Sequence, residues 1–308
     1  MKVVVGVITF RRPDGLAALL DGLSALRFQT DAPELAFVVI DNDPEGSAHG
    51  VCEAASPALP GPVRYVAEPR PGLSVARNRG VAAAIEEGAD YLAFVDDDEV
   101  PRPGWLDELL RVARDHRADV VAGRVLRRFE REPPDWVSRG GFFLDPRLPT
   151  GSPVRIASTS NVLVANRVLT DVRPPFDARF ALSGGEDTHF FLRASLAGYR
   201  LVWADNAVVE ERVPVERVRL GWVLRRAYRV ANTWTLCERE LTPSPRVLGL
   251  RVAKAIARLL FGTGLLVVGA VAGRHVAIRG LWHLAFGAGN LTGLLGLRFA
   301  EYAAGAAD

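Results

Sequence analysis

The sequence predicts an α/β fold in which a doubly wound, mostly parallel sheet is followed by a helical C-terminal appendage. Three observations support this prediction. Apolar runs alternate with helical patterns up to about residue 125, polar clusters stand where strands should end, and acidic residues disappear near the C-terminus. We therefore expect a domain over residues 1–240 and an apolar, basic appendage over residues 241–308.

The composition excludes several classes of protein. Apolar residues make up 49% of the chain, and the formal net charge of +2 argues against a nucleic-acid partner. Cys52 and Cys237 lack the spacing of a zinc site or a disulfide framework, which is typical of a reducing compartment. The apolar run 3–9 ends directly before polar residues and lacks the long core and cleavage site of a signal peptide. We therefore expect no signal peptide and folding that begins in the cytosol.

The elements of the first region follow from local patterns. Continuous apolar runs predict buried strands, in order, at 3–9, 35–40, 63–67 and 91–95. Helical spacing begins at Pro13, at about Ser74 and at Pro103. Further along we expect a strand at 119–125, loops and a lid at about 130–160, a strand at 154–164, a helix at 189–197 and a strand at 199–204.

Three of the predicted strands end in polar clusters, which are Thr9-Phe10-Arg11, Asp41-Asn42-Asp43 and Asp96-Asp97-Asp98. In sheets of this type, ligands bind beyond the carboxyl ends of the strands, so we expect the clusters to meet in one crevice. Adjacent carboxylates repel unless a cation joins them, and Mg²⁺ or Mn²⁺ prefers such oxygen ligands. The aspartate cluster therefore predicts a metal site, with a simple acidic turn as the alternative. No GxGxxG follows the first strand, which argues against a dinucleotide-binding domain.

Five segments in this order and spacing resemble family 2 glycosyltransferases, which have the GT-A fold. They are VITFRRPDGL, VVIDNDPEG, GLSVARNRGVAAA, YLAFVDDDEVPRPGWL and SGGEDTHFFLRASLAGYRL. The DDDE and GEDT versions are similar to bacterial exopolysaccharide and cell-wall enzymes of the succinoglycan type. The resemblance covers about residues 3–235 and is far more specific for family than for substrate. It implies a nucleoside-diphosphate sugar as donor and a glycan or lipid-linked acceptor.

The resemblance also implies which residues hold the donor. Thr9 and Asp41 would hold the base and the ribose, and a phosphate would lie near Arg77 and Asn78, one turn into a helix. The expected donor-binding set is Thr9, Arg11, Asp41, Arg77, Asn78, Asp96, Asp97 and Asn161. The alternatives are turn chemistry at residues 41–43, a solvated helix face at residues 77–78 and a strand-end polar residue at 161.

The resemblance assigns the metal and the base to further carboxylates. Asp98 is the expected principal metal ligand, with Asp96 as a second. Many relatives carry a histidine shortly before a Val-Pro pair, and Glu211 stands there as a candidate third ligand. Glu186-Asp187 resembles the family's ED motif, in which the aspartate is the general base, so both are expected at the catalytic site. These roles imply a single inverting displacement, and the alternative for Asp187 is a charge at a helix N-terminus.

The appendage has a composition of its own. Residues 241–300 contain seven basic residues and no Asp or Glu. The uncharged runs 259–273 and 280–297 are short or marginal for a span, which needs about 20 apolar residues. We therefore expect helices that lie in, or dip into, the anionic leaflet at the cytoplasmic face of the plasma membrane. An oligomerisation or docking surface is the alternative.

The sequence therefore predicts a metal-dependent, inverting glycosyltransferase that acts at a membrane. One alternative is a nucleotide-sugar-binding protein without turnover, in which the tail is a membrane scaffold. Another is nucleotidyl transfer to a sugar phosphate. It is disfavoured because residues 6–12 do not resemble the Gly-rich loop of those enzymes.

Overall fold

The computed structural model describes residues 1–29, 31–143, 145–181 and 183–299. Residues 300–308 of the predicted appendage lie outside the described residues. The described chain divides into two compact units. The first unit contains residues 1–29, 31–126, 145–181 and 189–211, and the second contains residues 127–143, 183–188 and 212–299.

The described residues form strands and helices in the following order. The strands are β1 (Lys2–Thr9), β2 (Glu34–Asp41), β3 (Val63–Ala67), β4 (Tyr91–Asp96), β5 (Glu99–Pro101), β6 (Val120–Phe129), β7 (Asn161–Ala165) and β8 (Leu201–Val213). The helices are α1 (Pro13–Ser24), α2 (His49–Ala55), α3 (Leu73–Glu86), α4 (Trp105–Asp115), α5 (Asp135–Gly140), α6 (Asn166–Asp171), α7 (Glu186–Leu196), α8 (Leu220–Leu241), α9 (Pro245–Ala272) and α10 (Arg274–Leu294).

The strands form one sheet in the order β3-β2-β1-β4-β7-β6-β8-β5. Strand β1 pairs in parallel with β2 and β4, and β2 pairs in parallel with β3, which is the parallel half that the alternating pattern predicts. Strand β7 is antiparallel to β4 and β6, and β5 is antiparallel to β8. The α/β class is confirmed, and the sheet is mixed because its second half includes these antiparallel pairs.

The core of the first unit lies on both faces of the sheet. Successive residues of a strand point to opposite faces, so Val3, Val5 and Val7 of β1 pack into one cluster with the leucines of α1 and α4. Val4 of β1 packs into the other cluster, together with alanines of α3 and Phe190 of α7. Burial on both faces explains why the first strands are continuous apolar runs.

Several predicted boundaries are wrong, for local reasons. The second half of β8 pairs with β5, so this strand runs to Val213 and not to 204. Strand β7 begins only at Asn161, seven residues later than predicted. Helix α7 begins at Glu186, because Gly184 and Gly185 adopt φ values of +70° and +89° and turn the chain directly before it. Glu186 and Asp187 therefore occupy the first turn of α7.

The second unit contains three long helices, α8, α9 and α10. Within it, the hydroxyl of Thr235 on α8 donates to Asn290 Oδ1 on α10 over 3.0 Å. A side chain at Gly262 of α9 would lie 2.8 Å from the carbonyl oxygen of Gly280 on α10, so only small residues allow this close approach. The compact unit that holds α9 and α10 also holds α8, which precedes the predicted boundary at residue 240.

Helix α9 is the one helix among the described residues that is long and apolar enough to cross a membrane. It has 28 residues, with a mean hydropathy of 2.0 over its most apolar 18-residue window, of which only 17% is buried. Leu260, Val267 and Val271 are 70%, 71% and 95% exposed. Large apolar surface exposed in this way marks an interaction site.

Candidate functional site

The three polar clusters meet at one edge of the sheet, as expected. In the register of the parallel strands, Thr9 of β1 lies opposite Asp41 of β2, and Ile8 lies opposite Asp96 of β4. Asp97 and Asp98 then form the turn between β4 and β5. The carboxylates thus stand at the carboxyl ends of the central parallel strands, where ligands bind in this class of fold.

Asp97 is buried at this edge and held by hydrogen bonds. Its carboxylate accepts hydrogen bonds from Thr9 Oγ1 and Arg12 Nη1, each over 2.9 Å, and it is 4% exposed. A side chain at Gly15 would lie 2.6 Å from the carbonyl oxygen of Asp97, so α1 packs closely on this turn. Burial raises the pKa of Asp97 above its ordinary value, against the opposing effect of Arg12 and Thr9. Thr9 and Asp97 thus hold each other in place, and their predicted contact with the donor stays a prediction.

The neighbours of Asp97 are the accessible carboxylates. The side chains of Asp96 and Asp98 are 37% and 25% exposed. Arg77 Nη2 lies 3.5 Å from Asp96 Oδ1, and Arg12 Nη1 donates to Asp98 Oδ2 over 3.2 Å. The turn thus alternates accessible, buried and accessible carboxylates, with one guanidinium beside each accessible group. Asp96 and Asp98 are therefore the two carboxylates of the turn that can face a ligand, whereas Asp97 was also expected in the donor-binding set.

Two further acids border the cluster from β5 and β8. Glu211 lies opposite Glu99 in the register, and both are buried, at 8% and 3% exposure. Burial, followed by the charges of Asp96, Asp98 and Glu211, raises the pKa of Glu99 well above its ordinary value. The predicted neighbourhood of Glu211 and the aspartates is therefore present.

The donor set of this cluster fits a hard divalent cation, because it consists of carboxylate oxygens. Among the described residues, the ligand atoms of Asp96, Asp98 and Glu211 do not all lie within 4.8 Å of one another. These three side chains would therefore have to move, or share the ion with oxygen atoms of water or substrate. A metal role for each of them stays a prediction.

Asp41 is enclosed, whereas Arg11 is open. The Asp41 carboxylate is 0% exposed and accepts from the amides of Asp43 and Ala48 and from the hydroxyl of Tyr65, over 3.0, 2.8 and 3.1 Å. Its predicted contact with base or ribose would require these partners to move, and it stays a prediction. Arg11 is 54% exposed at its side chain and donates to Asp43 Oδ1 over 3.1 Å. It can therefore reach a ligand at the mouth of the site.

The two predicted asparagines hold the backbone. Asn161 donates to the carbonyls of Arg124 and Ala207 and accepts from Trp105 Nε1, so both of its amide hydrogens are used. Asn78 pairs with the backbone of Phe176 through both its amide nitrogen and its oxygen. Asn161 therefore has no amide hydrogen left for a sugar, whereas half-buried Asn78 keeps one. The donor-binding role of both residues stays a prediction.

Glu186 and Asp187 belong to the second unit, in which the loop before α7 packs on α8. A side chain at Gly185 would collide with Thr233 of α8, so this turn requires glycine. Asp187 is half-buried, and its Oδ1 accepts from the amide of Thr188 over 2.6 Å. Glu186 is 1% exposed, and its predicted place in the catalytic site stays a prediction. The role of Asp187 as a base stays a prediction.

Arg12 and Glu99 are the residues of this edge that the sequence patterns did not single out. Arg12 lies next to Arg11 in the motif VITFRRPDGL. A second cation in this motif, in a chain with three adjacent aspartates at a neighbouring strand end, was the signal that could have identified Arg12. Arg11 has a φ of +53°. The side chain of Arg12 donates to Asp97, and that of Arg11 donates to Asp43.

The chain matches two families of known proteins. The model of "Glycosyl transferase family 2" matches residues 4–171, and that of "Glycosyl transferase family group 2" matches residues 91–295. The succinoglycan biosynthesis protein ExoM of Rhizobium meliloti (strain 1021) is 33% identical over 98% of this chain and 95% of the relative. The pre-mycofactocin glycosyltransferase of Mycobacterium tuberculosis is 31% identical over 67% of this chain and 45% of the relative.

Solved structures show the same fold at lower identity. The mannosyltransferase PcManGT from Pyrobaculum calidifontis, in complex with GDP-Man and Mn²⁺, has a TM-score of 0.62 at 18% identity and covers 95% of this chain and 86% of its own. S. aureus TarS 1–349 in complex with UDP-GlcNAc has a TM-score of 0.54 at 16% identity and covers 96% and 93%. With two family models that each match more than half of the chain and a relative that matches it almost end to end, this chain belongs to glycosyltransferase family 2 and is an enzyme of the GT-A fold.

Proposed function

We propose that the chain transfers a sugar, with inversion at the anomeric carbon, from a nucleoside-diphosphate donor to a hydroxyl of a glycan or lipid-linked acceptor, and that the reaction depends on Mg²⁺ or Mn²⁺. The observation that carries the proposal is the alternation in the β4–β5 turn. Asp96 and Asp98 are accessible at the carboxyl edge of the parallel strands, while Asp97 is held by Thr9 and Arg12. Such an arrangement presents two carboxylates on a rigid element.

The chemistry expected at this edge follows from charge. Departure of a nucleoside diphosphate places negative charge on its phosphates, and a divalent cation held by Asp96 and Asp98 would stabilise that charge. The accessible guanidinium groups of Arg11 and Arg12 supply donors that suit phosphate oxygens. Arg77, which is 5% exposed, holds the carboxylate of Asp96 in place. Asp187 would accept the proton of the acceptor hydroxyl.

The names of similar proteins support this choice of donor and process. Two structural neighbours are complexes, one with GDP-Man and Mn²⁺ and the other with UDP-GlcNAc. The relative that covers almost the whole chain is named for succinoglycan biosynthesis, which favours a role in making an exopolysaccharide.

We place the reaction at the cytoplasmic face of the plasma membrane, with α9 as the membrane-contacting helix. This helix exposes Leu260, Val267 and Val271, and Lys254 is exposed towards its beginning. Apolar side chains beside cations are what peripheral helices use on anionic lipid.

The test compares two carboxylates of the first unit. Asp98→Asn removes an accessible carboxylate of the turn, whereas Asp115→Asn removes a surface carboxylate of α4 that pairs with Arg111 of the same helix. Donor binding by calorimetry with Mn²⁺ should weaken at least about 10²-fold in Asp98→Asn and should not change in Asp115→Asn. Donor turnover by the unaltered protein should stop when a chelator removes the metal.

Four results would contradict parts of the proposal. Unchanged Mn²⁺-dependent affinity in Asp98→Asn would remove this residue from the metal site. Full turnover in chelator would overturn metal dependence. Donor binding without any turnover, across nucleotide-sugars and acceptors, would favour the membrane scaffold. A product that carries the nucleotide on a sugar phosphate would favour nucleotidyl transfer.

A further inference from the structure

A cavity of about 600 Å³ lies within the second unit, among helices α8, α9 and α10. Its lining includes three cations of α9, which are Arg251, Lys254 and Arg258. Trp234 of α8 and Phe286 and Asn290 of α10 also line it. None of the residues that line the cavity carries a carboxylate. None of them belongs to the aspartate cluster of the first unit.

The cations of the cavity are positioned but only partly neutralised. Arg251 pairs with Glu238 of α8. The guanidinium of Arg258 lies 4.0 Å from the ring centre of Phe286, and its Nη1 lies 3.4 Å from His283 Nδ1. Throughout the described residues, neither Arg258 nor Lys254 forms an ion pair. The helix face of Arg251, Lys254 and Arg258 is therefore directed partly at α8 and α10, and it does not lie wholly on the outer surface.

Stacking fixes Arg258 without cancelling its charge. A cation over an aromatic face is held by the ring quadrupole, and the guanidinium hydrogens at its edge stay available for an anion. Burial, followed by the charges of Arg258 and Arg279, lowers the pKa of His283. The imidazole at the back of the cavity is therefore neutral at pH 7, and the positive charge of the cavity comes from α9.

The cavity continues onto the apolar surface of α9. Phe261 lines the cavity and is also 55% exposed. Leu260, beside it in the chain, is 70% exposed, and Ile256 is 48% exposed. A ligand with an anionic head and a long apolar tail would satisfy both surfaces at once.

We propose that this cavity binds the phosphate head of a single membrane lipid, whose apolar chain lies along the exposed face of α9. The inference deepens the membrane contact in the proposed function and is independent of the transfer chemistry. Phosphate suits the cavity because the guanidinium groups of Arg251 and Arg258 and the ammonium of Lys254 offer many hydrogen-bond donors. The carboxylate of Glu238, which pairs with Arg251, cannot use them all. Two sources share this chemistry, namely a bulk phospholipid and the phosphorylated lipid of a lipid-linked acceptor.

The experiment uses the full chain and vesicles of neutral phosphatidylcholine that carry one added anionic lipid at matched total charge. The added lipid is phosphatidylglycerol, phosphatidic acid or a polyprenyl diphosphate, and inorganic diphosphate without lipid forms a fourth arm. Arg258→Gln and Lys254→Gln change the cavity. Arg246→Gln is the matched control, because Arg246 is an exposed cation in the first turn of the same helix and does not line the cavity.

A built phosphate site predicts unequal losses. Arg258→Gln and Lys254→Gln should each weaken co-sedimentation with the vesicles that carry an added anionic lipid at least about tenfold. Arg246→Gln should weaken it at most about fivefold, the change that one cation near an anionic surface provides. Tighter binding to polyprenyl diphosphate than to phosphatidic acid would assign the site to the acceptor lipid, and equal binding would assign it to bulk phospholipid. Quenching of tryptophan fluorescence by inorganic diphosphate at comparable affinity would show that the head alone is recognised.

Equal losses in all three variants would overturn the proposal, because they are what an unstructured electrostatic surface gives. Arg258→Lys separates folding from binding, since it keeps the charge, and thermal unfolding of each variant checks the helices. Lys254 is exposed, so Lys254→Gln tests the site even where Arg258→Gln disturbs packing. Donor turnover with Mn²⁺ is measured on the unaltered protein alongside. Its failure would reject the proposed function and leave the lipid result standing.

Discussion

The aspartate edge of the first unit and the outer face of α9 use charge in opposite ways. At the edge, Asp97 and Asp41 are buried and each has positioned hydrogen-bond donors. On the outer face of α9, Arg246 is exposed, and so are side chains as apolar as Leu260. The first arrangement fixes a few side chains in place. Binding through the second depends on the sum of its exposed apolar area and its positive charge. Single substitutions should therefore be severe for chemistry in the first case and gradual for binding in the second.

The largest effect should come from the predicted base. Asp187→Asn should lower turnover by about 10²–10⁴-fold, the usual scale for removal of a general base, without changing donor affinity. The measurement is steady-state turnover together with calorimetric binding of the donor. Near-normal turnover would exclude Asp187 as the base, and retained anomeric configuration in the product would overturn the inverting mechanism.

A smaller effect, on vesicle binding, should come from replacing an exposed leucine of α9, and an exposed leucine of α7 provides the comparison. Leu260→Asp on α9 should weaken vesicle binding about tenfold or more, because it removes apolar contact and adds repulsion from anionic lipid. Leu196→Asp at the end of α7, where the leucine is 49% exposed, should change vesicle binding less than twofold. Co-sedimentation with anionic vesicles measures both. Equal effects would mean that α9 is not the membrane-contacting surface, and the docking alternative would then be favoured.

The smallest effect should come from a paired charge in the first unit. Hydrogen bonds from Arg179 lower the pKa of Asp177 to about 2, so ionised Asp177 stabilises the folded state above its unfolded pKa, near 4. That contribution is lost as the pH falls through about 2. Asp177→Asn should therefore lower the free energy of unfolding by only about 1 kcal/mol at pH 6, since solvent screens the pair. Urea unfolding at pH 6 and pH 3 should show the difference shrinking, and a difference that grows on acidification would contradict it.

The parallel half of the fold and the location of the site followed from sequence because both depend on local patterns. Buried strands read as apolar runs, and their polar ends must meet once the strands are parallel. The choice among Asp96, Asp97 and Asp98 did not follow, because it depends on Thr9 and Arg12, which are distant in the chain from residue 97. The backbone bonds of Asn78 and Asn161 did not follow either, for the same reason. An amide looks identical in sequence whether its partner is a sugar or the backbone of Phe176.

The close approach of α9 and α10 also restricts the orientation that the tail can take in a bilayer. Because a side chain at Gly262 or Gly280 would meet the backbone of the facing helix, the two helices behave as one body. If α9 contacts a membrane as we propose, tilting it towards the membrane normal would carry α10 and Arg279 into the hydrocarbon region, where an arginine at the centre costs about 2.5–3.5 kcal/mol on insertion scales. The glycines would then favour a hairpin that lies flat at the depth of the phosphate groups. At that depth, an acceptor lipid would need to diffuse only in two dimensions to reach it.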